Sequence, residues 1–252
     1  MKRILILLFV VQLLFACNSN SDNNKSNETQ SKVQTSISDS SVNIIIKPEF
    51  ADENDTLIPK NNPDEDEENI KRAQIEFKNG TTSYKKGNIE QAIESFKASL
   101  EFFPDNDKAF LNLGNLYYEL GQKDLSLSYY KDAVRINPSD SMSLVAIGLI
   151  YSERGDTNQA ISYYNNTIEV APCFSMVYFN RGTLFGLQKK YQLSIQDLTN
   201  AIQYDKQYSE AYVNRGLAYF YLKQMSDACK DWKNAAALGN AKGKKAVDIY
   251  CK

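Results

Sequence analysis

Hydrophobic and polar residues follow two rhythms along the chain. From about residue 73 onward, apolar side chains recur every three or four positions. Leu125, Tyr129, Val134 and Ile136 are one such set, and the spacing places them along one face of a helix. The chain before that point follows another rule. An apolar run from Ile4 to Ala16, broken only by Gln12, is followed at 18–41 by a polar stretch without aromatic residues. The pattern therefore predicts a helical body behind a leader and a polar tether.

Glycine and proline divide the helical part into units. Sliding the sequence so that Gly80 falls on Gly114 also brings Gly114 onto Gly148, Gly148 onto Gly182 and Gly182 onto Gly216. Each falls inside a predicted helix, where glycine costs about 1 kcal/mol relative to alanine. A cost repeated at one interval is explained if a neighbouring helix passes close by, and Ala92, Ala160 and Ala228 offer small surfaces opposite. Gly87, Gly121 and Gly155 fall where one helix of a pair must turn into the next, and a left-handed residue is cheap there. Pro104, Pro138 and Pro172 mark the end of one pair and the start of the next. Five helix pairs are expected, near 73–106, 107–140, 141–174, 175–208 and 209–242. A final helix at 243–252 can cover the end, with Ala246, Val247, Ile249 and Tyr250 turned inward.

Within the second unit the order is Phe110-x2-Leu113-Gly114-x2-Tyr117, then Ser126-x3-Tyr130 and Pro138. The third has Leu144-x2-Ile147-Gly148-x2-Tyr151, then Ala160-x3-Tyr164 and Pro172. This resembles the tetratricopeptide repeat, whose pattern is W-x2-L-G-x2-Y, A-x3-F and P within a unit of about 34 residues. The other copies depart from it in places: Ser83 replaces the tyrosine, and Lys206 and Asn240 replace the proline. The resemblance spans residues 73 to about 242. It implies an all-α, right-handed α-solenoid of about five helix pairs with a C-terminal capping helix, because one pair cannot bury both of its faces.

The fourth and fifth units share the text Asn-Arg-Gly. Arg181 and Arg215 fill the slot held by Leu113 and Ile147 in the preceding units. Sixteen residues on, Asp197 and Asp231 stand where those units have Tyr129 and Tyr163. The matched exchange predicts two interhelical ion pairs, Arg181–Asp197 and Arg215–Asp231.

The leader, Lys2-Arg3 followed by the apolar run, has the layout of a signal peptide and is too short to span a bilayer comfortably. Its end, Leu14-Phe15-Ala16-Cys17, resembles the lipobox of bacterial lipoproteins. That resemblance implies cleavage after Ala16, lipidation of Cys17, and a protein held by an acyl anchor on the periplasmic side of the envelope, at the outer membrane. Residues 17–69 then form a mostly disordered linker before the repeat domain at 70–252. A flexible chain of that length has an end-to-end distance of about 40 Å. The run 42–50, VNIIIKPEF, reads equally as a short ordered patch and as unstructured chain.

Residues 18–72 carry six basic and twelve acidic side chains, and the whole chain is at −2, so no basic footprint for nucleic acid exists. There is no histidine, which excludes Ser-His and Cys-His nucleophile pairs and His-ligated metal sites. Four well-separated cysteines form no CxxC pair. No catalytic residues, metal site or cofactor are expected, and no small-molecule substrate. Cys229 and Cys251 are candidates for a disulfide closing a loop of about 20 residues; Cys173 reads as a lone thiol in a loop.

The resemblance to tetratricopeptide proteins with a lipoprotein leader implies instead a non-enzymatic protein- or peptide-binding adaptor, or a structural subunit of an envelope assembly machine of the barrel-insertion or pilus type. In tetratricopeptide proteins the first helices line the concave face. The resemblance therefore implies a groove formed by Asn112, Asn115, Asn180 and Asn214 with Tyr118 and Phe220, flanked by Glu119, Thr183, Leu217 and Tyr221. Phe77, Leu111, Val145, Phe179 and Val213 occupy the slots where some relatives carry a carboxylate-gripping lysine, so no clamp for a C-terminal carboxylate is expected. Alternatively, the asparagines only satisfy groups between neighbouring helices.

Overall fold

The computed structural model describes residues 67–252; the leader, Cys17, the run 42–50 and most of the linker lie outside them. The described residues form helices and no strand. In chain order they are α1 Glu67–Lys85, α2 Ile89–Phe102, α3 Asp107–Glu119, α4 Lys123–Ile136, α5 Ser141–Glu153, α6 Thr157–Val170, α7 Ser175–Leu187, α8 Tyr191–Tyr204, α9 Ser209–Tyr221, α10 Met225–Ala237 and α11 Ala241–Tyr250. The odd helices α1 to α9 are first helices, and each packs most extensively on the second helix that follows it. First helices also touch the next first helix along, α3 with α5, α5 with α7 and α7 with α9. That contact places them on the inside of the solenoid's curve.

The crossing glycines explain how each pair closes. A Cβ on Gly80, Gly114 or Gly148 would come within 2.8, 2.6 or 2.6 Å of a ring atom of Phe96, Tyr130 or Tyr164, and one on Gly216 within 2.6 Å of Trp232. The close partner is thus the large side chain four residues beyond the small Ala92, Ser126, Ala160 or Ala228 slot, not mainly the small residue itself. In the fourth unit Gly182 faces Leu198 and Asp197 instead. These rings are fully or nearly fully buried; Phe96 and Tyr130 join Phe77, Leu113 and Ile147 in one core cluster, and Tyr164 joins Phe179 in a second.

The two ends are built differently from the interior. In unit one, Glu76, Ser83 and Ser95 stand where unit two has Phe110, Tyr117 and Tyr129, leaving a polar cleft between α1 and α2. At the other end α11 lies close on α10: a Cβ on Gly243 would meet Ala235 Cβ at 2.6 Å. Tyr250 packs on Trp232 and Phe220, with ring centroids at 5.6 and 5.1 Å. Cys229 and Cys251 are joined by a disulfide with their Cα atoms 5.6 Å apart. Ile249, expected to turn inward, remains 51% exposed, because α11 turns Gly243 and Tyr250 toward α10 instead. Cys173 is not a lone thiol; it is disulfide-bonded. No described helix is long and apolar enough to cross a membrane.

Candidate functional site

The predicted ion pairs are present as bidentate forks. Arg181 Nε and Nη2 donate to Asp197 Oδ2 and Oδ1 at 2.7 and 2.8 Å; Arg215 engages Asp231 through the same atoms at the same distances. Each guanidinium has a further bond. Arg181 Nη1 donates to Asn165 Oδ1 at 2.6 Å and Arg215 Nη1 to Thr199 Oγ1 at 3.0 Å. Asn165 and Thr199 belong to the second helix of the preceding unit, so each fork ties three helices together. In units two and three the same place holds stacked rings, Tyr117–Tyr129 at 5.3 Å and Tyr151–Tyr163 at 5.6 Å. There the preceding second helix supplies Lys97 or Lys131, lying 5.7 Å above Tyr117 or Tyr151. Lysine meets the electron-rich ring face; uncharged Asn165 or Thr199 meets the arginine. These elements are structural.

The asparagine stripe does not form an open groove. Asn112 and Asn180 are 0% exposed and Asn115 is 3% exposed. Asn115 Oδ1 accepts from the Tyr130 hydroxyl at 2.7 Å. Asn214 Nδ2 donates to Thr183 Oγ1 at 2.9 Å, linking α9 to α7. The stripe therefore runs inside the seam between consecutive first helices, where neighbouring side chains close over it. Asn180 has both polar atoms of its amide buried without a hydrogen-bond partner. Phe220 is also committed elsewhere: it packs against Trp232 and Tyr250 at the C-terminal end.

Tyr118 shows how the inner face is sealed in the N-terminal half. Its hydroxyl donates to Glu153 Oε1 at 2.7 Å, reaching from α3 to α5. Burial, and then this carboxylate, raises its phenol well above the usual tyrosine range. One unit earlier Tyr84 bonds Glu119 in the same way, and burial with that carboxylate pushes its phenol up to about 12. Lys123 completes the bridge, 3.0 Å from Glu153 Oε2.

At the matching places the bridge then disappears. The next pair is Ser152 and Leu187, and the one after is Gly186 and Tyr221. With no side chain at Gly186, a cavity of about 720 Å³ opens between α7, the start of α8 and α9. Its floor is Leu217 and Ala218, and Thr183 and Asn214 supply polar groups. Tyr191 and Tyr221, stacked at 5.0 Å, form one wall. Leu187 is 50% and Tyr221 53% exposed, and the only charged side chain lining the cavity is Lys189. Its size is that of a ligand pocket. Asn214, Thr183, Leu217 and Tyr221 were legible as groove residues; Gly186, Leu187, Lys189, Tyr191 and Ser194 were not. The usable signal was glycine at a place that holds tyrosine or phenylalanine in units one, two and five.

Lys189 carries a second anomaly. It has φ 60°, and Lys223, one unit on, has φ 63°. Their counterparts Gly87, Gly121 and Gly155 have φ of 74° to 80°. Lysine is thus held in the left-handed region at the turns beside the cavity. Among the described residues no group of metal-ligating side chains occurs.

Three stretches match family models: 80–121 as a TPR repeat, and 107–140 and 143–172 as tetratricopeptide repeats. No curated protein matches the sequence. Among solved structures, the fold is similar to that of the MamA protein (21% identity, TM-score 0.57, covering 71% of this chain and 96% of that one). YrrB, described as a TPR protein with an unusual peptide-binding site, has 16% identity and TM-score 0.56, covering 73% and 95%. PilF of Pseudomonas aeruginosa has 16% identity and TM-score 0.62, covering 68% and 78%. PilW, a type IV pilus biogenesis factor, has 18% identity and TM-score 0.56, covering 71% and 94%. At these identities the likeness is one of fold.

Proposed function

Because the chain is built of tetratricopeptide repeats, we propose that it is a non-enzymatic adaptor that holds an extended segment of another protein against its inner face. Tetratricopeptide-repeat proteins are generally non-catalytic scaffolds that bind proteins or peptides. The observation that carries the reading here is the inner-face cavity at Leu187, Tyr191 and Tyr221. It exposes large apolar side chains in a concave, partly polar setting, which is the usual signature of a binding site. Replacing Leu187 and Tyr221 by serine should abolish co-purification of partners while leaving the melting temperature within a few degrees. A double variant that retains its partners removes the cavity from the binding site.

The second part of the proposal is the address. Lipidation of Cys17 would place the repeats on the periplasmic side of the outer membrane. One mass measurement on the protein isolated from membranes tests for the Cys17 thioether. Labelled palmitate retained by a Cys17→Ser variant refutes the anchor. A structural subunit of a pilus-type envelope machine is the competing reading, favoured by the fold shared with PilF and PilW. Isolation from membranes separates them: a complex of fixed stoichiometry supports the machine, and exchangeable partners support the adaptor.

A further inference from the structure

Charge divides the inner face as well as shape does. In units one to three the carboxylates Glu119 and Glu153 take up the tyrosine hydroxyls of the seam, and Lys123 and Arg154 have the acidic partners Glu153 and Asp124 at 3.0 and 2.5 Å. In units four and five both carboxylate positions have become apolar, Leu187 and Tyr221. The turns alongside carry Lys189, Lys190 and Lys223, all exposed. None of these three forms an ion pair among the described residues. The cavity lining contains no acid. The site thus has an apolar centre and an uncompensated cationic rim, in the place where the chain's own glutamates stand two units earlier.

We propose that the cavity between units four and five takes an acidic peptide segment of a partner protein. A bulky apolar side chain of that segment sits between Leu187, Leu217 and the Tyr191–Tyr221 stack, and a flanking Asp or Glu pairs with Lys189 and Lys223. This inference rests on the adaptor reading and adds the chemistry of the ligand. Lys189 lines the cavity from a left-handed turn that glycine makes elsewhere in the chain. Such strained placements cluster at functional sites. Asn214 and Thr183 at the floor can bond the backbone of an extended chain. Charge complementarity of this kind acts mainly on encounter and on exclusion of wrong partners, and it weakens with salt.

The test uses the full-length protein and three pools of fluorescently labelled synthetic peptides. Each pool has a short randomised core containing Leu or Phe, flanked by glutamate, lysine or serine. Anisotropy should show binding of the glutamate-flanked pool, weakened several-fold between low and physiological salt. Lys189→Glu with Lys223→Glu should weaken it at least tenfold. Gly186→Phe, which fills the cavity as Phe220 does at the matching place, should abolish it. Lys206→Glu, an exposed charge at the opposite edge of the same unit, should change it less than twofold. Equal binding of lysine- or serine-flanked pools, or equal effects of the Lys189/Lys223 and Lys206 variants, overturns the acidic-ligand inference and leaves the adaptor reading standing. Failure of all three pools to bind overturns both.

Discussion

Units two and three and units four and five solve one packing problem with opposite chemistry. The gap between a first helix, its own second helix and the second helix before it must be filled in every repeat. In the N-terminal pair it is filled by stacked tyrosines roofed by lysine; in the C-terminal pair, by an Arg–Asp fork bonded to Asn165 or Thr199. The difference extends outward. Turns made by Gly121 and Gly155 become Lys189 and Lys223, Pro138 and Pro172 give way to Lys206 and Asn240, and the Tyr118–Glu153 bridge gives way to a cavity. The backbone repeats while the chemistry does not, and the accessible site lies in the half where the tyrosine–glutamate bridge is missing.

Alkaline pH should have the largest effect, acting at the helix crossings of the N-terminal half and at other tyrosines in the C-terminal half. Burial raises the phenols of Tyr130 and Tyr164, the rings against Gly114 and Gly148, and that of Tyr118; with its carboxylate partner, it holds Tyr84 at about 12. An unfolded tyrosine ionises near 10. The contribution of these groups to stability is complete below about pH 10 and is lost as pH rises through the folded values. At the matching crossings units four and five have Leu198 and Trp232, which do not ionise. Helix content by circular dichroism should therefore start to fall above about pH 10, and because burial also raises Tyr178 and Tyr208, units four and five should titrate too. Unchanged helix content up to about pH 12 contradicts this.

Removing half a fork should come next. Asp197→Ala leaves Arg181 part-buried beside apolar rings and should cost about 3 kcal/mol in urea denaturation. Arg181→Leu with Asp197→Tyr, which copies unit two, should return to within about 1 kcal/mol of the parent, since a buried ion pair is replaceable by well-packed residues. A double variant as unstable as the single one would show that the two fillings are not interchangeable.

Most of this fold was legible because its cause is periodic. A glycine recurring at one constant interval, with a large side chain sixteen positions later, specifies a close helix crossing wherever it occurs, and the arginine–aspartate exchange specified a contact by the same argument. The site was less legible because it depends on what closes over a position from the next unit. Asn112, Asn115 and Asn180 have the spacing of a surface stripe, and only the packing of successive first helices reveals that neighbours cover them. Gly186 illustrates the converse. It reads as one more helical glycine until the Tyr84–Glu119 and Tyr118–Glu153 bridges show what is missing at its level.

Two smaller comparisons sharpen the division. Tyr130→Phe removes the hydroxyl that bonds Asn115 and should cost about 1 kcal/mol, whereas Tyr164→Phe removes a buried hydroxyl that has no partner and should be neutral or slightly stabilising. Equal losses in chemical denaturation would mean that both hydroxyls are satisfied. The smallest effect concerns the turns. Lys189→Gly and Lys223→Gly relieve a left-handed residue worth roughly 1 kcal/mol but free the unfolded chain by about half as much. Each should add about 0.5 kcal/mol, read as a small rise in the urea midpoint. A fall would mean that the lysine side chains stabilise the folded state through contacts of their own.

The two ends of the described repeats also differ in what they could offer another copy of the chain. Every interior seam presents the same kind of surface to the next, so a repeat array could extend head to tail into a filament, one molecule's last unit receiving another's first. Here the two faces are unlike. The leading end offers Glu76, Ser83 and Ser95 in a cleft that would have to shed its water without gaining partners. At the trailing end, the Cys229–Cys251 bond holds α11 over Trp232 and Phe220, so that surface is never presented. The Cys229–Cys251 bond thus keeps the last repeat's outer surface covered, and its reduction is the step that would let α11 leave Trp232 and Phe220.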